Sequence, residues 1–272
     1  MTAVRRSRLV PGDEISGVRF VQADVTRPET MRTLPVCTHV VYAVAAGEPS
    51  DAAYERAYRT GVANVVAMLR NWVDAPKRFL FVSSTGVYSQ DDGSWVDETS
   101  PIIRGDDDSD DSSSGGGEAG SGGASRRWLI AGEQAVASSG LSHVIFRLAG
   151  IYGPERMRIR DMVQSGRATV DPSVLAYTNR IHRDDAALGI MHLLELDGAG
   201  GVFIGCDSEP IDRASLYVEL AKRLGAPPPA GAQMIRGAGA QSVAINKRCS
   251  NEKLLATGFR FRFPTWREGY GV

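Results

Sequence analysis

The chain has 272 residues, with 31 Lys+Arg against 32 Asp+Glu for a formal net charge of −1. That balance excludes a sequence-independent electrostatic grip on nucleic acid or an acidic membrane surface, both of which need a clear excess of cations. A hydrophobic content of 43% with 23% charged residues suits a globular chain with a sizeable core, and no stretch reaches the roughly 18 apolar residues of a membrane span.

The N-terminus, "MTAVRRSRLVPGDE", is basic but lacks the apolar centre of a signal peptide. Cys37, Cys206 and Cys249 are far apart and in no metal-ligand spacing. Together these predict a soluble cytoplasmic protein with free thiols, binding a small molecule and neither nucleic acid nor membrane. Short runs rich in Val, Ile and Phe then predict strands: "VRFVQAD" (18–24), "THVVYAVAA" (38–46), "RFLFVSS" (78–84) and "HVIFRLAG" (143–150). Their near-continuous apolarity is what parallel strands covered on both faces require. Between them, helical spacing runs over 51–73 and 126–139, with Gly140 as the expected C-cap of the second. Alternating strand and helix predicts an α/β, doubly wound parallel sheet.

Residues 104–125, "RGDDDSDDSSSGGGEAGSGGAS", have almost no apolar surface to bury and predict a disordered insert. Gly115, Gly117 and Gly120 fall there in G-x-G-x-x-G spacing, but no strand precedes them and the acidic neighbours would repel a phosphate. Further on, the pattern predicts helices near 155–166, 184–196 and 212–224 and a strand at 201–206, before "GAPPPAGAQ" and a basic, aromatic tail.

In a doubly wound sheet, ligands bind outside the carboxyl ends of the strands. Asp24 ends one strand as a candidate acceptor for a ligand hydroxyl or amine. "AVAAG" (43–47) ends the next with side chains small enough for close backbone approach. Ser83, Ser84 and Thr85 end the third, and "RLAGIYGP" (147–154) the fourth.

The run "FVSSTGVYSQDDGSWVDETSP", then "FRLAGIYGPER" and "NRIHRDDAA", resembles the extended short-chain dehydrogenase/reductases, the NAD-dependent epimerase/dehydratase family, and most closely its atypical members. The likeness runs from about Val4 to Tyr270, apart from the acidic insert. It implies a Rossmann-like NAD(P)-binding domain over 1–154 and a smaller substrate-side α/β portion over 155–272. Asp24 and Val25 would then lie at the adenine, with Ala43, Ala45 and Ser83 along the cofactor. Ser84 would take the place of the catalytic Ser/Thr, and Arg5 and Arg6 would pair with the 2′-phosphate of NADP, which is expected over NAD. The alternative for Arg5 and Arg6 is a solvated N-terminus. Relatives commonly pair, so a homodimer is a further expectation.

Two departures from the family pattern stand out. The Gly-rich fingerprint between first strand and first helix has no counterpart, and the first β-α unit is expected to be missing, through a truncated gene or mis-assigned start. Aligning "LIAGEQAV" with the helix that carries the family's Tyr-x-x-x-Lys dyad puts Ser125 at the tyrosine and Leu129 at the lysine; no lysine lies between Lys77 and Lys222. Tyr88 is the candidate substitute acid/base, against a packing role at the strand end. Thr85, Arg127, Tyr152 and His182 are expected on the substrate side, with His182 also readable as a structural histidine before a helix. The expected function is an NAD(P)-binding oxidoreductase or epimerase/dehydratase-like protein acting on a sugar nucleotide or a small carbonyl/hydroxyl compound. The alternative is a catalytically silent dinucleotide-sensing or scaffold protein.

Overall fold

The computed structural model describes residues 1–8, 12, 14–103, 123–171, 173–232, 241–242 and 246–271. In chain order its elements begin with strands β1 (Thr2–Arg5), β2 (Arg19–Gln22) and β3 (His39–Tyr42). Helix α1 (Asp51–Tyr54) continues through a π-helical turn (Glu55–Thr60) into α2 (Gly61–Arg70), followed by β4 (Arg78–Ser84), β5 (Trp95–Val96), α3 (Gly123–Ala137) and β6 (His143–Leu148). After these come β7 (Gly150–Tyr152), α4 (Arg158–Gln164), β8 (Val174–Leu175), β9 (Tyr177–Thr178), β10 (Arg180–His182), α5 (Arg183–Glu195) and β11 (Gly201–Gly205). The chain closes with β12 (Ile211–Asp212), α6 (Arg213–Leu224), β13 (Gln241–Ser242), β14 (Arg248–Cys249), α7 (Glu252–Ala256) and α8 (Trp266–Tyr270). Two compact units result: Met1–Val82 with Gly105–Ile145, and Ser83–Arg104 with Phe146–Val272.

In the first unit β1 runs parallel to β2, with Thr2 opposite Arg19 and Arg5 opposite Gln22. β3 runs parallel to β4, from His39 opposite Arg78 to Tyr42 opposite Phe81. Phe79 donates its N–H to the Ser142 carbonyl at 2.9 Å, bringing the chain entering β6 alongside β4. Phe79, Leu80 and Phe81 have no exposed surface, as their unbroken apolarity predicts. The long helical stretch starts where Ser50 caps it, accepting from the Ala53 N–H. Tyr42 fixes this stretch to β3 by donating its hydroxyl to the Ala57 carbonyl at 2.5 Å.

In the second unit Ala149 donates its N–H to the Gly205 carbonyl at 2.9 Å, joining the end of β6 to β11. β7 pairs in parallel with β10 and β5 with β14. Asp212 caps α6 by accepting from the Ser215 N–H at 3.0 Å, and Gly225 ends that helix in the left-handed region at φ 62. One face of α6 (Leu216, Leu220) packs with Tyr152, Ile159, Trp266 and Tyr270 into a buried cluster.

Several expected boundaries move. The runs 18–24 and 38–46 form strands only over Arg19–Gln22 and His39–Tyr42, and Ala43–Gly47 leaves β3 as a loop. The helix expected over 126–139 spans Gly123–Ala137; Gly140, at φ 76, turns the chain three residues beyond instead of capping it. Gly123, Ala124 and Ser125 therefore belong to α3. Residues 104–122, including the glycines in G-x-G-x-x-G spacing, lie outside the described residues.

Candidate functional site

A cavity of about 820 Å³ lies wholly within the first unit, and its wall includes Arg5, Arg6, Asp24, Val25, Ala43 and Ala45. Local hydrogen bonding sets Asp24 and Val25. Asp24 donates its N–H to Thr30 Oγ1 at 2.9 Å, while its Oδ1 accepts from the Thr26 N–H (2.9 Å) and Thr26 hydroxyl (2.7 Å). These bonds, led by the Thr26 hydroxyl and helped by the Arg6 charge, hold the Asp24 carboxyl below the usual range. The carboxylate is thus ionised at neutral pH, with Oδ2 left to accept from a ligand. Val25 is held by its carbonyl, which accepts from Asn64 Nδ2 at 2.9 Å. At Gly47 an added Cβ would come within 3.4 Å of Arg6 Nη2, so the small residue lets the guanidinium reach across the loop.

These residues fit the adenosine end of a dinucleotide. Ala43, Ala45 and Gly47 leave room for close approach to backbone, Asp24 Oδ2 could accept from an adenine amino or ribose hydroxyl, and Arg5, which donates to Ser7 Oγ at 3.0 Å, and Arg6 add two guanidinium groups to the same wall. Arg127 has a different environment, still in the first unit. It donates to Asp51 Oδ1 at 2.5 Å, the same oxygen that accepts from Trp128 Nε1 at 2.7 Å, and its guanidinium lies 5.2 Å from the Trp128 ring centre. On α3, Ser125 and Leu129 are both buried.

The second unit holds the other candidates. Ser83 and Thr85 are buried at the end of β4, and Ser84 Oγ accepts from the Gly86 N–H at 3.0 Å. A hydroxyl oxygen so occupied keeps its own proton to donate. Tyr88 is 1% exposed within a cluster formed by Val96, Ile204 and Cys249, and the Arg147 guanidinium sits 4.8 Å from its ring centre. Burial pushes its phenol well up, which makes it a poor proton shuttle at neutral pH.

Tyr152 is 2% exposed, stacked 4.5 Å from Tyr270 and edge-on to His182 at 5.5 Å. His182 caps α5: its Nδ1 accepts from the Asp184 N–H at 3.2 Å and its ring lies 3.9 Å from Phe263. Desolvation lowers its pKa, so the neutral, accepting ring is favoured. That is the structural-histidine arrangement.

Lys247 and Asp207 are buried ionisable groups that no sequence pattern singles out. Lys247, 3% exposed, donates Nζ to the Tyr88 carbonyl at 3.2 Å. In the sequence it is one residue of a basic tail, and nothing there signals contact with a residue so distant in the chain. Asp207, 2% exposed, has a carboxyl pushed up to about 8 by burial. It follows a strand like many solvated aspartates. Among the described residues no group of His, Cys, Asp and Glu could hold a metal ion, and no helix is long and apolar enough to cross a membrane.

Parallel strands whose carboxyl ends converge on a cavity with small residues, a carboxylate and two arginines define a Rossmann-like α/β protein. The family model "NAD dependent epimerase/dehydratase family" matches residues 1–196, and the chain belongs to that family. A Methylobacillus flagellatus structure assigned as an NAD-dependent epimerase/dehydratase is 32% identical, covering 99% of this chain and 87% of that one, with a TM-score of 0.74. A human epimerase family protein solved with NADPH superposes with a TM-score of 0.70 at 17% identity, over 98% of this chain and 88% of its own. A Streptomyces 3-diazoavenalumate denitrifying reductase is 26% identical over 151 residues, 51% of this chain; the match spans about half, 49%, of that relative's length.

Proposed function

We propose that the chain binds NADP(H) through its first unit and serves as an oxidoreductase or epimerase/dehydratase-like protein acting on a sugar nucleotide or a small carbonyl/hydroxyl compound. One observation carries this reading: Arg5, Arg6, Asp24, Val25, Ala43 and Ala45, distributed over three strand ends, all line one cavity. Arg5 and Arg6 favour the 2′-phosphate of NADP over the bare ribose of NAD, and Asp24 takes the adenosine through Oδ2. When bound, the nicotinamide supplies or accepts a hydride. Ser84 would hold the reacting substrate oxygen by donating its hydroxyl proton, while its own oxygen is steadied by the Gly86 N–H.

A second reading is favoured by the composition of α3, "GASRRWLIAGEQAVA", which contains neither tyrosine nor lysine. Without that pair this helix lacks the family's proton-exchanging dyad, which a silent dinucleotide sensor does not require. Titration with NADPH and NADH followed by single-turnover assays over carbonyl compounds and nucleotide sugars separates the two. NADPH binding with hydride transfer supports the enzyme, and binding without turnover supports the sensor. If neither nucleotide binds, both readings fall.

A further inference from the structure

The turn that follows β4 presents Ser84. Ser84 caps it, its Oγ accepting from the Gly86 N–H at 3.0 Å, and Tyr88 closes it by donating its N–H to the Thr85 carbonyl at 3.4 Å. Thr85, Val87 and Tyr88 are buried, whereas Ser84 and Gly86 keep part of their surface exposed. The Ser84 hydroxyl and the amide that steadies it therefore share the accessible side. A single 3₁₀ turn has hydrogen bonds of poor geometry, so its shape depends on what grips it from the buried side.

That side meets β14 and the residue before it. Successive residues of an extended chain face opposite ways, and burial follows: Lys247 is 3% and Cys249 1% exposed, with Arg248 between them half-buried. Lys247 donates Nζ to the Tyr88 carbonyl at 3.2 Å, at the end of the turn, and Cys249 is hydrogen-bonded to the Thr85 side chain at its start. An ammonium taken out of water needs such a partner, and it holds a carbonyl more firmly than a neutral donor does. The segment is itself clamped. The Asn179 amide donates Nδ2 to the Lys247 carbonyl at 2.9 Å and accepts at Oδ1 from the Cys249 N–H at 2.7 Å. Arg248 pairs with Trp95 of β5, and its Nε donates to the Gly93 carbonyl at 2.8 Å.

We propose that Lys247 and Cys249 are positioning residues, which together staple the Thr85–Tyr88 turn and so fix the direction of the Ser84 hydroxyl. Lys247 does not rebuild the family's tyrosine–lysine pair, because at Tyr88 its ammonium bonds the backbone carbonyl, which exchanges no proton. The use of the Ser84 hydroxyl on a substrate rests on the enzyme reading above; the staple itself does not.

Backbone amide hydrogen exchange of the full chain, followed by NMR, tests the staple. Lys247→Met keeps the length of the side chain without its ammonium. Exchange at the Gly86 and Tyr88 amides should rise by about tenfold or more, with the amide of Leu220, buried in α6 of the same unit, unchanged. Cys249→Ala is the milder variant: it removes the Thr85 contact and should speed Gly86 exchange by about threefold or more, again without change at Leu220. With NADPH and whichever carbonyl compound or nucleotide sugar the parent turns over, Lys247→Met should lower kcat by about tenfold or more at unchanged nucleotide Kd. In a Ser84→Ala background the same substitution should cost nothing further, because it acts through Ser84.

Unchanged Gly86 exchange in either folded variant overturns the proposal. So does equal acceleration at Leu220, which would make the two side chains ordinary supports of the whole unit, and so do kcat losses that add in the double variant. A parent without turnover defeats the enzyme reading alone, and the exchange ratios then decide the staple by themselves.

Discussion

Asp207 shows how one buried residue sets a pH response. Its carboxyl, 2% exposed, is pushed up to about 8, chiefly by desolvation, with the Arg180 charge and the Glu209 N–H pulling the other way. In the unfolded chain the same group titrates near 3.9. Between those values the folded state holds a proton that the unfolded state has lost, so this group's contribution to stability falls as pH rises and is flat outside that window. The slope is at most about 1.4 kcal/mol per pH unit. Asp207→Asn keeps the shape without the titration. Urea midpoints at pH 5 and pH 8 should therefore differ less in the variant than in the parent, with the largest gain of variant over parent at pH 8. Equal pH dependence in both would show that Asp207 is not protonated in the folded state.

At the scale of elements, α3 and the π-helical turn pack backbone against backbone, and Gly132 is the reason they can. An added Cβ there would lie 2.7 Å from the Tyr58 carbonyl oxygen and 3.0 Å from the Phe81 ring. Ala in a helix interior is worth up to about 1 kcal/mol over Gly by propensity. Overpacking against backbone costs about 1–3 kcal/mol, and the carbonyl cannot swing aside as a side chain would. Gly132→Ala should thus destabilise the chain by up to about 2 kcal/mol despite the better helix former, read as a lower urea midpoint at constant m-value. A stabilised variant would mean that the two elements separate freely. The interior of this helix was legible from its apolar spacing, but its start was not: Gly123–Ser125 lie at the end of a polar run whose composition carries no helical pattern. The π-helical turn was hidden too, because one inserted residue per turn leaves no distinct composition.

Over the whole molecule, what the sequence made legible was whatever depends on burial alone. β4 emerged with its predicted bounds because a strand covered on both faces must be apolar throughout. Asp24, Ala43 and Ala45, expected from strand ends, and Arg5 and Arg6, expected from the family resemblance, line one cavity. Lys247 beside Tyr88, and the engagement of Arg127 by Asp51 and Trp128, depend on partners far away in the chain, which no local pattern encodes.

The convergence at the strand ends also predicts a thermal response. NADPH at one hundred times its Kd should stabilise the folded chain by about 2.7 kcal/mol. At about 2–4 °C per kcal/mol for domains of this size, the midpoint should rise by roughly 5–10 °C. Arg5→Glu with Arg6→Glu leaves the adenosine acceptor Asp24 in place but opposes the 2′-phosphate. In that double variant the NADPH shift should fall to or below the NADH shift, with the NADH shift little changed, as scanning fluorimetry at matched nucleotide saturation of the parent would show. Equal loss of both shifts would mean that the two arginines shape the cavity without addressing the phosphate, because charge reversal at a phosphate-reading pair must discriminate between the two nucleotides.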